Sequence, residues 1–350
     1  MKILERINKC FRHHLLPFRI KTDTYYPEVP RKSRIRQKLE LIWSDLRYGI
    51  TELSYYTYGL DRKGMHLSQF VDRVTFMKLR DGRNKTKPFN YICILRDKDL
   101  FSIVGKHYGM PVIDSLGILN EDTHSANVLE LLTTNHHLFI KPIDDMKGNG
   151  VLSIDKEEDS IYINGQNTTI DELKHMLDTL KGKHIIQSSL IQHPDVSRIY
   201  PHSINTLRIV TINPLHSSNE NDIVLIGCVL RMGAHGSNVD NWSKGGVVAK
   251  VNNDGFLDEY GFFEPKYGTK TKSHPDTKVV FKDIKIPFFN EAIKVTKQFH
   301  CHLNSIFSIG WDVAITVDGP VFIEGNDNWG CETIQICHGS IKDYLDNYFL

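Results

Sequence analysis

The sequence predicts an α+β protein in which a mainly helical N-terminal region precedes β-rich subdomains. Apolar residues recur at helical spacing before residue 90, whereas short runs rich in β-branched residues alternate with few helices from residue 91 onwards. Strands interleaved with so few helices favour α+β subdomains over one long series of βαβ units. We therefore expect a helical region at 1–90 and a larger unit at 91–350, which divides into 91–185 and 186–350.

The composition predicts an ordinary soluble globular protein of the cytoplasm. No run of about 18 apolar residues is present, and the basic start of the chain lacks the apolar core of a signal peptide. The six scattered cysteines form no CxxC pair and are typical of reduced, packed thiols. With 43 basic and 42 acidic residues the formal net charge is +1, which argues against a general nucleic-acid binder.

The N-terminal region combines an apolar helical face with a basic cluster. The residues of the face recur at spacings of three and four, and they are Ile35, Leu39, Ile42, Leu46 and Ile50. The basic residues lie close together, and they are Arg31, Lys32, Arg34, Arg36 and Lys38. Two interpretations stay open for them, a solvated helix face or docking to an anionic membrane surface or an acidic partner.

From residue 90 the predicted elements follow one another to the end of the chain. Thr169 and Glu172 form a capping box that begins a helix, and Gly182 is expected in the left-handed conformation at its end. An acidic turn at 157–159 predicts a hairpin between strands 151–154 and 161–163. The other predicted strands are 90–95, 138–141, 184–191, 205–212, 222–231 and 247–251, the other helices are 98–107 and 288–303, and a hairpin covers 310–326.

The final hairpin is predicted to gather three oxygen-bearing side chains. A three-residue loop at its turn sets Asp312 opposite Asn326, and Glu324 shares that face because side chains alternate with a period of two. Such hard oxygen donors suit Mg²⁺, in one or two ions, with Mn²⁺ as an alternative. A surface hairpin with ordinary polar ends is the other interpretation.

A lysine at the end of an apolar strand precedes a glycine-rich loop. Lys141 ends the strand, and the loop contains Lys147, Gly148, Asn149 and Gly150. An ammonium and several backbone N–H groups in this arrangement suit a phosphate. The loop is neither a Walker A sequence nor GxGxxG, so a plain turn also stays open.

Two arginines lie inside strand-like sequence, and a polar loop follows them. Arg208 and Arg231 either face solvent or, where buried, need an anionic partner, and the planar guanidinium fits phosphate or carboxylate. Asn241 and Lys244 belong to the loop Asn-Trp-Ser-Lys-Gly-Gly, which opens directly into a strand. The sequence contains no HExxH, no Cys/His zinc spacing and no GxSxG, which argues against zinc or serine-nucleophile chemistry.

The order of these motifs resembles the ATP-grasp ligases. The series runs from Lys98, with Gly-Met-Pro-Val beginning eleven residues later, through Lys141 and its loop and a hinge at 186–193, to Asp312 and Glu324-Gly-Asn. Arg231 followed by Asn-x-x-Lys-Gly-Gly is similar to carboxylate–amine ligases that add glutamate, with lysine where those enzymes have arginine. The segments 48–58 and 192–211 resemble one branch more closely, the sugar-transfer-associated ATP-grasp family, which is linked to bacterial surface-polysaccharide gene sets. The resemblance covers about residues 45 to 340.

The resemblance implies two subdomains that clasp ATP. Lys98 and Lys141 would face its α- and β-phosphates, and the loop with Lys147 would fold over the triphosphate. The hinge contacts to the nucleotide would come from Gln187, where many relatives carry glutamate, and from Ser188, Leu190 and Ile191. Asp195 is the candidate for the ribose.

The resemblance also implies a reaction. Arg208, Arg231 and Lys244 would stabilise charge on the transferred group, and Asn241 would orient it. The expected activity joins a carboxylate to an amine (of an amino acid, amino sugar or peptide) through an acyl phosphate. A phosphotransferase on the same fold and a non-catalytic nucleotide-binding scaffold of a glycan-synthesis complex are the alternatives.

Overall fold

A computed structural model describes residues 22–85, 91–120, 125–144, 150–158 and 160–349 of the chain. The helices are α1 Arg34–Tyr48, α2 Glu52–Thr57, α3 Arg73–Asn84, α4 Ile92–Arg96, α5 Lys98–His107, α6 Ser125–Thr134, α7 Ile170–Asp178, α8 Pro194–Ser197, α9 Phe289–His302, α10 Glu332–His338 and α11 Lys342–Tyr344. The strands are β1 Ser115–Leu119, β2 His137–Pro142, β3 Leu152–Glu157, β4 Ser160–Ile163, β5 Gln166–Thr168, β6 His184–Ser188, β7 Thr206–Ile212, β8 Val224–Met232, β9 Val247–Val251, β10 Leu257–Phe263, β11 Lys270–Thr271, β12 Ser308–Thr316 and β13 Gly319–Asn326. The helical character of the N-terminal region is confirmed for the part that the structure describes, and none of the helices in these ranges is long and apolar enough to cross a bilayer.

Helix α1 turns a different side to the protein than its apolar periodicity suggests. Its buried residues are Gln37, Leu41 and Ser44, and Leu41 packs in a cluster rich in tyrosine. Ile35 and Leu39, which belong to the predicted apolar face, are 73% and 63% exposed. The spacing therefore predicts the helix, but packing against the tyrosine cluster determines which side of it is buried.

Residues 90–95 were expected to form a strand, and this prediction is wrong. Helix α4 occupies this part of the chain, and Asp97 ends it and then caps α5 by accepting from the backbone N–H groups of Asp99 and Leu100. Leu95 is buried in the core of the second sheet. A short apolar run is compatible with either element, so the sequence pattern did not distinguish helix from strand here.

The first sheet has six strands in the order β1-β6-β2-β3-β4-β5, and every adjacent pair is antiparallel. The hairpin of β3 and β4 and the capping box of Thr169 and Glu172 at the start of α7 are both as predicted. Gly182 is left-handed as expected, with φ +79°, but α7 already ends at Asp178, so the glycine lies in the connection to β6. Helices α6 and α7 contribute their apolar side chains to the core of this sheet.

The second sheet has seven antiparallel strands in the order β11-β10-β9-β8-β7-β12-β13. Helix α9 covers one face, where Phe299 packs against Trp311 and Phe322 at ring-centroid distances of 5.1 and 5.2 Å. On the other face Phe76 of α3 packs against Trp329 at 4.7 Å. The charged side chains described next lie on this second face.

Candidate active site

The register of the β12–β13 hairpin differs from the expected one. Thr316 pairs with Gly319, so the loop has two residues and not three. A bulge after Asp312 then brings this aspartate opposite Glu324, not opposite Asn326. The expected register is wrong because neither the loop length nor the bulge is encoded in the alternation of apolar residues.

The three predicted metal ligands nevertheless converge. The Asn326 side-chain N–H group donates to Glu324 Oε1 at 3.1 Å and lies 3.4 Å from Asp312 Oδ2. Glu324 and Asn326 share a face because they are two residues apart, and Asp312 faces them from the neighbouring strand. The prediction of convergence rested on the period of two, which holds from Glu324 to Asn326 because the bulge on β13 lies before Glu324.

Arg208 and Arg231 extend this group across the sheet. Arg208 lies opposite Asp312 on β7 and donates to its two carboxylate oxygens at 2.6 and 2.9 Å. Arg231 of β8 reaches the same two oxygens at 3.0 and 2.9 Å. Glu324, Asp312, Arg208 and Arg231 thus form a charged row on four adjacent strands, β13, β12, β7 and β8.

Asp240 completes the row and was not identified from the sequence. Its carboxylate accepts from Arg231 Nη2 at 2.9 Å and from the hydroxyl of Thr206. Arg231 therefore lies between two carboxylates, those of Asp240 and Asp312. The only available signal was its position directly before Asn241, because a single aspartate in a loop has no distinctive spacing.

Burial and neighbouring charges set the protonation of the row. Desolvation raises the pKa of Asp312, but Arg208 and Arg231 outweigh it and hold this pKa at about 2. Desolvation and the charge of Asp312 raise the pKa of Glu324 above its ordinary value. Asp240 also has a raised pKa, because desolvation exceeds the stabilisation that Arg231 supplies. Asp312 is therefore the fixed anion of the row, and Glu324 responds to what binds beside it.

This donor set fits a divalent cation. Two facing carboxylates repel one another, and a hard cation between oxygen donors relieves that repulsion. The third oxygen donor is the amide of Asn326, and in the described ranges no three His, Cys, Asp or Glu side chains are grouped as a metal site. Because Arg208 and Arg231 already hold Asp312, a cation would compete with them for its oxygens.

Lys141 lies in the first sheet and is electrostatically coupled to the row. Its ammonium donates to Gln187 Oε1 at 3.1 Å across the β2–β6 pair. Desolvation lowers the pKa of Lys141 to about 8, against the opposing effect of Glu324, and Lys98 lowers it further. Lys98 in turn donates to the backbone carbonyls of Pro142 and Ile143 at 3.0 and 3.3 Å. Two of the predicted nucleotide lysines therefore lie near each other and near Glu324.

The glycine-rich loop is described only at its end. Lys147, Gly148 and Asn149 lie outside the described residues, so their predicted role is not addressed by the structure. Gly150 has φ +66°, and a Cβ atom there would lie 3.1 Å from the ring of Pro142. A residue with a side chain is disfavoured at this position on both counts.

The hinge connects the two sheets and is tied to β12. Ser188 ends β6, and the N–H group of His193 then donates to the carbonyl of Ile315 at 2.8 Å. Between them, Leu190 is partly buried and Ile191 is exposed.

Asp195 lies beyond the hinge, on the exposed first turn of α8, and its charged neighbours are His193 at 3.8 Å and Arg198 at 3.7 Å. Gln187 belongs to the buried site, whereas Asp195 is not part of the charged row. The contacts to adenine and ribose that the resemblance implied remain predictions.

Asn241 directly follows Asp240 of the row, and Lys244 lies three residues further along the same loop. Asn241 accepts from the backbone N–H and the hydroxyl of Ser243 at 3.1 and 3.0 Å, and so caps a short 3₁₀ turn. Lys244 is exposed. Gly246 allows the loop to pack on the end of β8, since a Cβ atom there would lie 2.6 Å from the carbonyl oxygen of Met232.

The segment after β13 is held by the helical N-terminal part of the chain, which sequence reasoning did not anticipate. Asp327, adjacent to Asn326, is bound by Arg96 through two hydrogen bonds of 3.1 and 2.7 Å. Asn84 of α3 donates to the Asp327 carbonyl at 3.3 Å and accepts from the N–H group of Ser308 at 3.0 Å. These contacts fix the end of the strand that carries Glu324 and Asn326.

The two antiparallel sheets and the helices described above have the ATP-grasp fold. The sequence model of the family described as sugar-transfer associated ATP-grasp matches residues 82–346, and the chain belongs to that family. ATP-grasp enzymes in general use ATP and Mg²⁺.

Solved structures similar to this chain include ligases and a carboxylase. A D-alanine–D-alanine ligase from Bacillus anthracis has 12% identity and a TM-score of 0.42, over 73% of this chain and 67% of its own. The VanG D-Ala:D-Ser ligase from Enterococcus faecalis has 12% identity and a TM-score of 0.43, over 73% and 62%. A biotin carboxylase from Campylobacter jejuni has 12% identity and a TM-score of 0.44, over 74% and 46%. The chain thus spans about half to two thirds of these proteins, and no curated protein matches it.

Proposed function

We propose that the protein is an ATP-dependent ligase that joins a carboxylate to an amine. The observation that carries the proposal is the charged row on β13, β12, β7 and β8, with Lys141 of the first sheet beside Glu324. Phosphoryl transfer requires mainly positioning and charge neutralisation, and a row of two carboxylates and two arginines supplies both. Membership in the sugar-transfer associated family supports a role in building bacterial surface polysaccharide or in modifying peptides.

The nucleotide phosphates would be held from both sheets. Lys141 and Lys98 bring two positive charges to one end of the first sheet. Glu324, Asn326 and Asp312 would hold Mg²⁺, which neutralises phosphate charge when bound. Arg231 would then exchange part of its contact with Asp312 for the transferred phosphoryl group, because its planar donors fit phosphate as well as carboxylate.

The bond changes follow from the poor reactivity of a carboxylate. A carboxylate oxygen of the substrate attacks the γ-phosphorus of ATP, the bond to the bridging oxygen breaks, and ADP leaves with an acyl phosphate formed. The amine lone pair then attacks the carbonyl carbon, the C–O bond to phosphate breaks, and the amine proton passes to the departing phosphate or to water. Arg208 and Arg231, which converge on Asp312, would stabilise the negative charge that moves during both steps.

Trapping the acyl phosphate tests this function. We expect the protein, given Mg-ATP and pools of carboxylates without amine, to release ADP slowly and to yield a hydroxamate with hydroxylamine. Addition of amino acids or amino sugars should increase ADP release and produce an amide. A stable phosphorylated alcohol without hydroxamate would replace the ligase by a phosphotransferase, and nucleotide binding without ADP release under any acceptor would replace it by a scaffold.

A further inference from the structure

Helix α1 presents an apolar stripe to solvent. Ile35, Leu39 and Trp43 are 73%, 63% and 57% exposed. They are spaced by four residues, so they follow one line along the helix. The opposite side, with Gln37 and Leu41, is the one that packs on the protein. The helix therefore has two sides with apolar residues, and only one of them packs against the rest of the protein.

Basic residues border this stripe, most closely along one edge. At 3.6 residues per turn, Arg36 and Arg47 lie about 60° and about 80° from its midline on the same side, and Lys38 lies about 100° away on the other. Arg36 and Arg47 are exposed, and Lys38 is half-buried. The acid nearest to Arg36 is Glu40, at 3.0 Å, and Glu40 is held from the protein side by Lys32 at 2.7 Å. The exposed side of α1 thus combines a narrow apolar line with an arginine edge.

We propose that α1 docks onto an anionic lipid surface, lying in the plane of the headgroups. Helices with a basic polar border and a Trp/Leu/Ile line bind in this way, because the apolar side chains enter the boundary of the acyl region while arginines meet lipid phosphates. Trp43 suits this position, since its ring is apolar and its N–H group can stay near water. A helix of 15 residues is about 22 Å long, which suits an in-plane position.

The charge pattern favours lipid over a second copy of the chain. Two copies packed through the stripe would bring the arginine edges of both helices together, and like charges at an interface oppose association. An anionic lipid surface complements the same edges. This inference is independent of the proposed ligase activity, because α1 contributes no residue to the charged row.

The first experiment measures binding of the full chain to vesicles. We expect co-sedimentation with phosphatidylcholine vesicles that contain 30 mol% phosphatidylglycerol, and little with pure phosphatidylcholine. Leu39→Glu with Trp43→Glu should weaken binding at least tenfold. Arg36→Gln with Arg47→Gln should weaken it by roughly fivefold for each charge removed, and should reduce its salt dependence. The matched control, Ile170→Glu with Leu215→Glu, makes the same change at exposed positions elsewhere and should bind like the wild type.

The second experiment uses Trp43 as a reporter. Trp311 and Trp329 are buried, so a blue shift of tryptophan fluorescence on adding anionic vesicles should come mainly from Trp43. Trp43→Phe should lose most of the shift and keep vesicle binding, since an apolar ring remains in place. Vesicle binding by the wild type without a blue shift would contradict insertion of the stripe.

Several outcomes would overturn the assignment. The first is equal binding to neutral and anionic vesicles, and the second is binding to soluble polyglutamate as strong as binding to anionic vesicles. The third is wild-type vesicle binding by the Leu39→Glu/Trp43→Glu variant, which would place the contact elsewhere, for example in residues 1–21. Concentration-dependent dimerisation that Leu39→Glu abolishes would replace lipid by a second copy. Unchanged circular dichroism and melting temperature show that each variant is folded, and if the glutamate pair fails this check, the arginine pair and Trp43→Phe decide the question.

Discussion

Lys141 is the residue of the site whose charge is most sensitive to its surroundings. Burial lowers its pKa to about 8, so the ammonium that would meet the phosphates is present below pH 8 and is lost above it. We expect kcat/KM for ATP to fall as the pH rises through 8, approaching about tenfold per pH unit, because this quantity reports ionisation of the free enzyme. Lys141→Arg keeps its charge at these pH values and should remove the decline.

Kinetics between pH 7 and 9 make the comparison. The same decline of kcat/KM for ATP in the Lys141→Arg variant would show that another ionisable group causes the decline. Lys181→Arg, at an exposed lysine, is the matched control and should behave like the wild type.

Asp240 acts on the reaction through Arg231. It binds one side of the guanidinium at 2.9 Å while Asp312 binds the other. Asp240→Asn removes this anchor charge and leaves the Asp312 contact, so Arg231 should remain in the site but point less accurately. We expect kcat to fall by about tenfold or more with little change in the KM for ATP, because an interaction that strengthens in the transition state affects kcat.

Asp258→Asn changes an exposed carboxylate in the same subdomain and serves as the control. A purely structural role for Asp240 would instead lower the melting temperature and change kcat and KM together. Steady-state kinetics with thermal unfolding distinguish the two.

The residues show what sequence patterns can and cannot specify. The alternation of side chains along a strand predicted Asp312, Glu324 and Asn326, and it does so even when the loop length is misjudged. The two arginines were identified because a charged residue inside an apolar strand is unusual. Asp240 was missed because it lies in a loop, and only the folded chain brings it to Arg231 of β8. The roles of Asp195, Asn241 and Lys244 came from resemblance and stay predictions.

At the scale of elements, the contact of α9 with the second sheet depends on a buried neutral histidine. His300 has Nδ1 2.7 Å from the Thr211 hydroxyl and Nε2 2.9 Å from the carbonyl of Ile306. Burial lowers its pKa from 6.5 to about 4. Its contribution to stability is therefore complete above pH 6.5 and is lost as the pH falls toward 4, by up to about 3 kcal/mol.

Urea unfolding at pH 7.5 and pH 5 tests this. We expect the free energy of unfolding to drop by about 2 kcal/mol more in the wild type than in His300→Gln, which has no ionisable group there. His302→Gln, two residues further along the helix and exposed, is the control. Equal pH dependence in wild type and His300→Gln would show that other groups govern acid stability.

Element boundaries were predictable where local chemistry determines them. The capping box at the start of α7 and strand β9 were predicted closely, since both depend on residues adjacent in sequence. The strand expected at 90–95 is a helix in the structure, because a short apolar run fits either element and Leu95 is buried from the helix. The outward side of α1 also escaped prediction, because periodicity reveals a face but not what lies against it.

For the whole molecule, bound Mg-nucleotide should couple the two sheets. A ligand that contacts Lys141 on one sheet and Glu324 on the other favours the folded, closed arrangement, and at 100 times its Kd it stabilises by about 2.7 kcal/mol. We therefore expect a nonhydrolysable ATP analogue with Mg²⁺ to raise the melting temperature by a few degrees. Without Mg²⁺ the rise should be smaller, because phosphate charge would then face Glu324 directly.

The Glu324→Gln variant separates the metal from the nucleotide. It keeps the size of the side chain and removes one charge from the oxygen donors, so Mg²⁺ should add little to the melting temperature while the analogue alone binds at least as well as to the wild type. ADP formation should be nearly abolished. Glu130→Gln, on the exposed side of α6, is the control and should show the full magnesium-dependent rise. A wild-type magnesium effect and wild-type turnover in Glu324→Gln would contradict the placement of the cation on the hairpin, since the variant lacks one of the charges that would hold the cation there.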